Sequence, residues 1–463
     1  MDTIPLHPQP NPHGSGEPSR GDHGNGTVIA GQIFGDAVSQ PPRPAKLPGL
    51  EAIRAWAALG VVLLHVCVPY LQNPMPGLVW PITDATDFCI DCLFWGIEVI
   101  VMPVFLFVAG FLVWRSLRRG GPGLLVRNRA RRLLVPLAFA MLVILPIEPF
   151  IWVLGFVSEG LVPAVKLKSL KVDGELGRNL WGLSHLWFLP YLFLYIVVVA
   201  LGDWAVGHYQ TARRILDTLM ARPIVVPLLL IGLAAAVLIV RPEVVWGFQH
   251  AFLPVPSKWI YSGCFFLGGV RLGARDFELS DLAHHARRLI PVAVLLMATS
   301  VILGRWHLSL PPSETKSYQA AHYVLAILTA SGAWVATMAV MSIAVLMGDR
   351  VSKRTKYLAG ASFWIYLVHH PLLGLVHIDL KWLLPGASPM IKAAIAFVVV
   401  SAVCLVTYEG LIRRSALGHW LGLAPADAAP ADAAPASRPS EASPDTVDIP
   451  AVAEPSRETR RAA

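Results

Sequence analysis

An all-α integral membrane domain of about ten transmembrane helices, with both termini in the cytoplasm, is the fold this sequence predicts. Three observations carry that reading. Of 463 residues, 55% are hydrophobic and only 15% charged, with a mean hydropathy of +0.57, whereas an ordinary soluble domain is about 25% charged. Apolar runs long enough to cross a hydrocarbon core of about 30 Å recur along the chain. Finally, basic residues alternate between short loops. Loops 115–132, 206–222, 271–288 and 348–356 hold 18 Lys and Arg, whereas the five loops 72–87, 156–183, 241–258, 305–320 and 379–387 together hold nine. Basic loops are retained in the cytoplasm, which places both tails there.

The formal net charge of +8 would suggest nucleic acid in a soluble chain. Here most of it belongs to juxtamembrane loops, so the expected partner is the lipid bilayer and no nucleic acid. Five cysteines form no disulfide framework. No early apolar region with a cleavage site marks a signal peptide, and the first spanning helix is expected to act as its own insertion signal.

In chain order, residues 1–46 are rich in Pro, Gly, His, Asn and Ser without periodicity and read as a disordered tail. The membrane domain covers 47–420. Its first span, Leu50 to Tyr70, carries Glu51, Arg54 and His65 in an otherwise apolar run. Further spans are expected at 88–114, 133–156, 184–206, 223–240, 257–273, 288–304, 321–347, 357–378 and 389–412. From 421 to 463 an Ala/Pro-rich segment reads as a second disordered tail.

Ionisable groups inside a membrane are costly and commonly functional. Arg54 and His65 are eleven positions apart, hence about 20° apart around a helix and ~16 Å apart along it. One face therefore carries a guanidinium at the cytoplasmic mouth and an imidazole near mid-membrane. A neutral imidazole can take a proton from a hydroxyl without the cost of burying a fixed charge. Alternatively His65 bonds a neighbouring helix, and Arg54 snorkels to mark the helix end.

The run Arg127 to Arg132 feeds the third span and suits a phosphate-bearing ligand, although anionic lipid and topology explain it equally well. His185 and Trp187 open the fourth span, where interface anchoring competes with sugar stacking. His369 and His370 lie midway along the ninth span. Consecutive residues diverge by about 100°, so at most one of them is expected to share a cavity with His65. Glu409 is expected to pair with Arg413 one turn on. Glu98 has no local partner and is a candidate to balance a histidine or arginine across helices. Cys89 and Cys92 have a redox or half-metal-site spacing, but without a second pair the expectation is no metal; an outer-surface disulfide stays open.

The segments LEAIRAWAAL with His65, RARRLLVP, SHLWFLPYL and ASFWIYLVHHPL together resemble the membrane acyltransferase-3 family, over about 50–414. The resemblance implies a ten-helix domain with a cavity in a bacterial inner (cytoplasmic) membrane. The implied reaction moves an acyl group, succinyl or acetyl, from cytoplasmic acyl-CoA, a donor substrate rather than a cofactor, to a hydroxyl of an extracytoplasmic carbohydrate. It makes His65 the catalytic histidine, Arg54 its motif partner, and Arg129 and Arg132 the pair on the donor side. His185, Trp187, Tyr366 and His369 fall within its motifs and, with Glu98, complete the candidate substrate-binding set. Glu51 stands where the family often has Asp. The rival class is a transporter or flippase whose membrane histidines and acids relay protons or line a substrate path.

Overall fold

The computed structural model describes residues 48–424 apart from 179, 212–213, 216–217, 219–221, 250, 276–279, 312, 314 and 349. The two tails expected to be disordered, 1–46 and 421–463, therefore lie outside the described residues, save 421–424. Among the described residues the chain is helical and contains no strand. The principal helices are α1 (Pro48–Cys67), α2 (Phe88–Phe139), α3 (Ile147–Ser158), α4 (Phe188–His208) and α5 (Val225–Val240). They continue with α6 (Pro256–Arg275), α7 (Ser280–Ser309), α8 (Lys316–Met347), α9 (Lys353–Leu383), α10 (Pro389–Thr407) and the short α11 (Ala416–Leu421).

Among the described residues, seven helical stretches are long and apolar enough to span a membrane, and the protein is a multi-pass membrane protein. The difference from ten has a local physical cause in each case. One of the seven, Phe88–Ser158, is 71 residues long and contains two of the expected spans, 88–114 and 133–156. Within α2 the helix breaks at Gly121, whose φ of 72° is left-handed, a conformation glycine adopts without steric penalty. Pro122 follows, and its missing N–H cannot continue a helical ladder. Helix α5 is apolar but only 16 residues long. Helix α6, with Lys258, Arg271 and four glycines, is not apolar enough to count among the seven.

Helix α1 is central, packed against α2, α8, α9 and α10. Around it, α2 pairs with α6 and α4, α7 with α8, and α9 with α3 and α10. The α2–α6 pair touches backbone to backbone. A Cβ on Gly110 would stand 2.0 Å from the Phe266 carbonyl oxygen, and one on Gly269 would stand 1.9 Å from that of Phe107. Small residues at such crossings let helices associate where lipid removes the hydrophobic drive.

The outward faces are rich in exposed Leu, Val and Ile, for example Leu142, Leu228 and Val406. Buried polar groups concentrate inside: His369, His377 and Lys392 are each no more than 1% exposed. Glu409 bridges Arg413 at 2.9 Å, as i,i+4 spacing requires. Cys89 and Cys92 are both free thiols.

Beyond α1, loop 71–87 folds back over the helix ends and is tied down by charge. Lys392 reaches Asp84 at 2.7 Å, and Lys381 Nζ donates both to the Thr83 carbonyl at 2.6 Å and to Glu159. Asp91 accepts from Asn73 and from Arg305. Lys392 and Asp91 are buried, and an ion pair with a buried member holds only while both partners are present.

Candidate active site

His65 sits in the last turn of α1. Its Nδ1 lies 2.8 Å from the Val61 carbonyl and 3.3 Å from His369 Nε2. A carbonyl can only accept, so Nδ1 carries the proton. His369 Nδ1 is 3.0 Å from the carbonyls of Ile365 and Tyr366 and must donate, which leaves its Nε2 to accept from His65. The tautomers follow from this network. His65 Nε2 therefore keeps its lone pair, on a half-buried ring.

Both histidines of α9 surround that ring. Centroid separations from His65 are 5.1 Å to His369 and 4.8 Å to His370, which corrects the expectation that only one could share its cavity. The two α9 imidazoles stand apart, with ring centres 6.1 Å from each other and planes at 84°. Because α1 packs directly on α9, however, the His65 imidazole fits between them.

His185 enters from a 3-10 turn, Ser184–Trp187. Its Nε2–H donates to the Leu367 carbonyl at 3.1 Å, while the Tyr366 hydroxyl donates to the His185 carbonyl. Ser184 holds a φ of 50°, a region non-glycine residues enter at a cost and keep mainly at functional sites. The His185 ring stacks on His370 at 4.7 Å, and Trp152 stacks on His370 at 5.1 Å. Gly374, one turn beyond His370, makes room for that indole, because a Cβ there would meet the Trp152 ring at 2.8 Å.

From α3 comes Glu148, only 7% exposed. Its Oε1 is 3.3 Å from His370 Nδ1 and its Oε2 is 3.7 Å from His185 Nδ1. These three residues could hold a metal, since one ligand atom from each falls within a 4.8 Å cluster. Toward the far end of α1, Trp80 of the pinned loop lies nearly parallel to His65, 6.2 Å away, and donates Nε1–H to His377 at 3.0 Å. Trp80 also lines a cleft of about 460 Å³ formed by Gly77–Thr83, Leu161, Glu175 and Leu176.

Near the other end of α1, Arg54, Arg129 and Arg132 lie within electrostatic reach of one another. Arg129 donates to Ser116 at 3.2 Å. Among the described residues none of the three arginines forms a salt bridge, which leaves a cationic cluster suited to an anion. Glu98 and Trp187 belong to a third group. Glu98 interacts with Lys258, not with a histidine or arginine, and the Lys258 ammonium lies 3.8 Å from the Trp187 ring centre.

The structure thus gathers His65, His185, Tyr366 and His369, gathers Arg54, Arg129 and Arg132 separately, and sets Glu98 and Trp187 apart with Lys258. Sequence reasoning missed Glu148, Trp152 and Trp80. Glu148 was readable by the rule that singled out Glu98, as an acid inside the apolar run 133–156. Trp80 lies in a loop and carried no such signal.

This arrangement, a hydrogen-bonded imidazole between a cationic cluster and a cleft, is consistent with acyl transfer. The acyltransferase domain family matches residues 47–409; the chain belongs to it, the membrane acyltransferase-3 family, and is an O-acyltransferase. Among curated proteins it is similar to "Glucans biosynthesis protein C" of Salmonella paratyphi B (strain ATCC BAA-1250 / SPB7), at 25% identity over 336 residues, covering 70% of this chain and 81% of the relative. The proteins of the same name from Salmonella enteritidis PT4 (strain P125109) and Salmonella choleraesuis (strain SC-B67) match to the same extent. No solved structure matches.

Proposed function

We propose that the protein transfers a succinyl or acetyl group from acyl-CoA, entering from the cytoplasm, to a hydroxyl of a periplasmic or cell-envelope glucan, working from a bacterial inner membrane with ten spans and both termini cytoplasmic. The observation that carries this reading is the lone pair on His65 Nε2, set between the arginines and the outer cleft.

The ~16 Å of helix between Arg54 and His65 suits an extended pantetheine arm with its phosphates among the guanidiniums. The glucan hydroxyl approaches through the cleft that Trp80 lines, where an aromatic face suits a sugar ring. His65 Nε2 takes the hydroxyl proton as the oxygen attacks the thioester carbonyl. Collapse of the tetrahedral intermediate breaks the C–S bond, and the imidazolium returns its proton to the departing thiolate. The products are a sugar ester and free coenzyme A. General-base assistance of this kind contributes ~10²–10⁴-fold in rate.

The test uses purified protein in liposomes, acyl-labelled CoA on one face and glucan on the other. Covalent label on the sugar, lost in His65→Ala while that variant stays monodisperse, is the expected result. Label that crosses without joining the sugar would make the protein a carrier, and undiminished transfer by His65→Ala would remove the histidine from the mechanism.

A further inference from the structure

We infer that Glu148, His185 and His370 bind a divalent transition-metal ion beside His65. The ion's binding stands on geometry alone; its use in catalysis rests on the transfer reaction proposed above. This departs from the sequence-level expectation of no metal.

The donor set is two imidazoles and one carboxylate, which suits zinc and related ions and leaves a further position open for a substrate oxygen. The ligands arrive from α3, α9 and the Ser184–Trp187 turn, and all three are buried. The tautomer of His185 is the telling detail. In the neutral ring, with Nε2–H donated to the Leu367 carbonyl, Nδ1 is the nitrogen left to bind an ion, and it lies 3.7 Å from Glu148 Oε2. A carbonyl partner on the far nitrogen is also the usual outer support of a metal-bound histidine.

Ligand atoms around a four-coordinate ion at bonds of about 2.0–2.2 Å stand roughly 3.3–3.5 Å apart. His370 Nδ1 stands 3.3 Å from Glu148 Oε1 and His185 Nδ1 stands 3.7 Å from Oε2, so both nitrogens lie beside the one carboxylate. The widest pair lies within 4.8 Å, and a tilt of the two stacked imidazoles would close it. With His370 4.8 Å from the His65 ring centre, such an ion stands where it can bind the acceptor oxygen or the carbonyl oxygen on which negative charge develops. It is neither oxidised nor consumed.

Full-length protein purified in detergent, incubated with zinc and desalted, is expected to retain about one equivalent per chain by mass spectrometry, as a three-ligand site should. Glu148→Gln, His185→Gln and His370→Gln should each fall to roughly a tenth of that or less, with His65→Ala unchanged. Cobalt in place of zinc should give visible absorption that disappears in Glu148→Gln. Should a glutamine variant aggregate, Glu148→Asp, which keeps the carboxylate, is expected to retain cobalt with a shifted spectrum; absence of the spectrum in a monodisperse Asp variant would count against the site. Wild-type protein with less than about a tenth of an equivalent after zinc incubation, or zinc content unaltered by all three glutamine variants, would overturn the inference. Zinc bound at full occupancy with no transfer to glucan would instead defeat the proposed reaction and leave the metal site standing.

Discussion

The two ends of helix α1 are built from opposite materials. At its start, Arg54 and Arg132 are exposed, with Arg129 half-buried beside them, and the three positive charges face one another. Toward its end, His65 is packed among His369, His370, Trp80 and, through His370, Trp152, and most of these neighbours are buried. A wet cluster of long side chains binds by charge and adapts in shape. A dry, stacked cluster holds its groups in fixed positions, so small displacements cost rate. The first end is suited to capturing a ligand, the second to acting on it.

Mutations should split along that line. The largest effect is expected from His65→Asn, with kcat falling ~10²–10⁴-fold and KM for acyl-CoA little changed. If KM rose instead, the division between capture and chemistry would fail. Removing one partner of the pair that pins loop 71–87, as in Asp84→Ala, strands the buried Lys392 ammonium and should destabilise the protein by roughly 3–5 kcal/mol, read as a lowered Tm in detergent. A Tm equal to wild type would mean that the loop is held by something else.

At the cationic end, Arg129→Ala together with Arg132→Ala should raise KM for acyl-CoA by about tenfold with kcat nearly kept. Added salt should weaken the wild type more than the variant, because exposed charges are screened. Equal salt dependence in both would return these arginines to topology and lipid contact. The smallest effect is expected from Trp80→Phe, which deletes the hydrogen bond to His377 and should cost about 1 kcal/mol. A larger loss of activity than of stability would tie this indole to acceptor binding.

How much of this was legible beforehand follows from which forces act locally. His65, His185 and His369 stood out because an ionisable group in an apolar run is a strong signal wherever its partner lies. The Glu409–Arg413 pair was readable because it closes within one helical turn. Contacts made by α3 and by loop 71–87 were not, since no periodicity encodes which distant helix a loop tryptophan will meet. Glu98 shows the same limit: its charge was conspicuous, but its partner Lys258 lies 160 positions away. The span count differed because two spans run together in Phe88–Ser158, α5 is short and α6 carries charge, the last two tolerable for a helix partly sheltered by neighbours.

The anchoring of loop 71–87 has a consequence for what the protein can accept. Tied through Asp84 to α10, through Thr83 to α9 and through Trp80 to His377, the segment is held like a sill at three points. Acceptors must then fit the aperture as they find it. Discrimination among glycans is accordingly expected at the entrance, by the width of the cleft, before any hydroxyl reaches the imidazole.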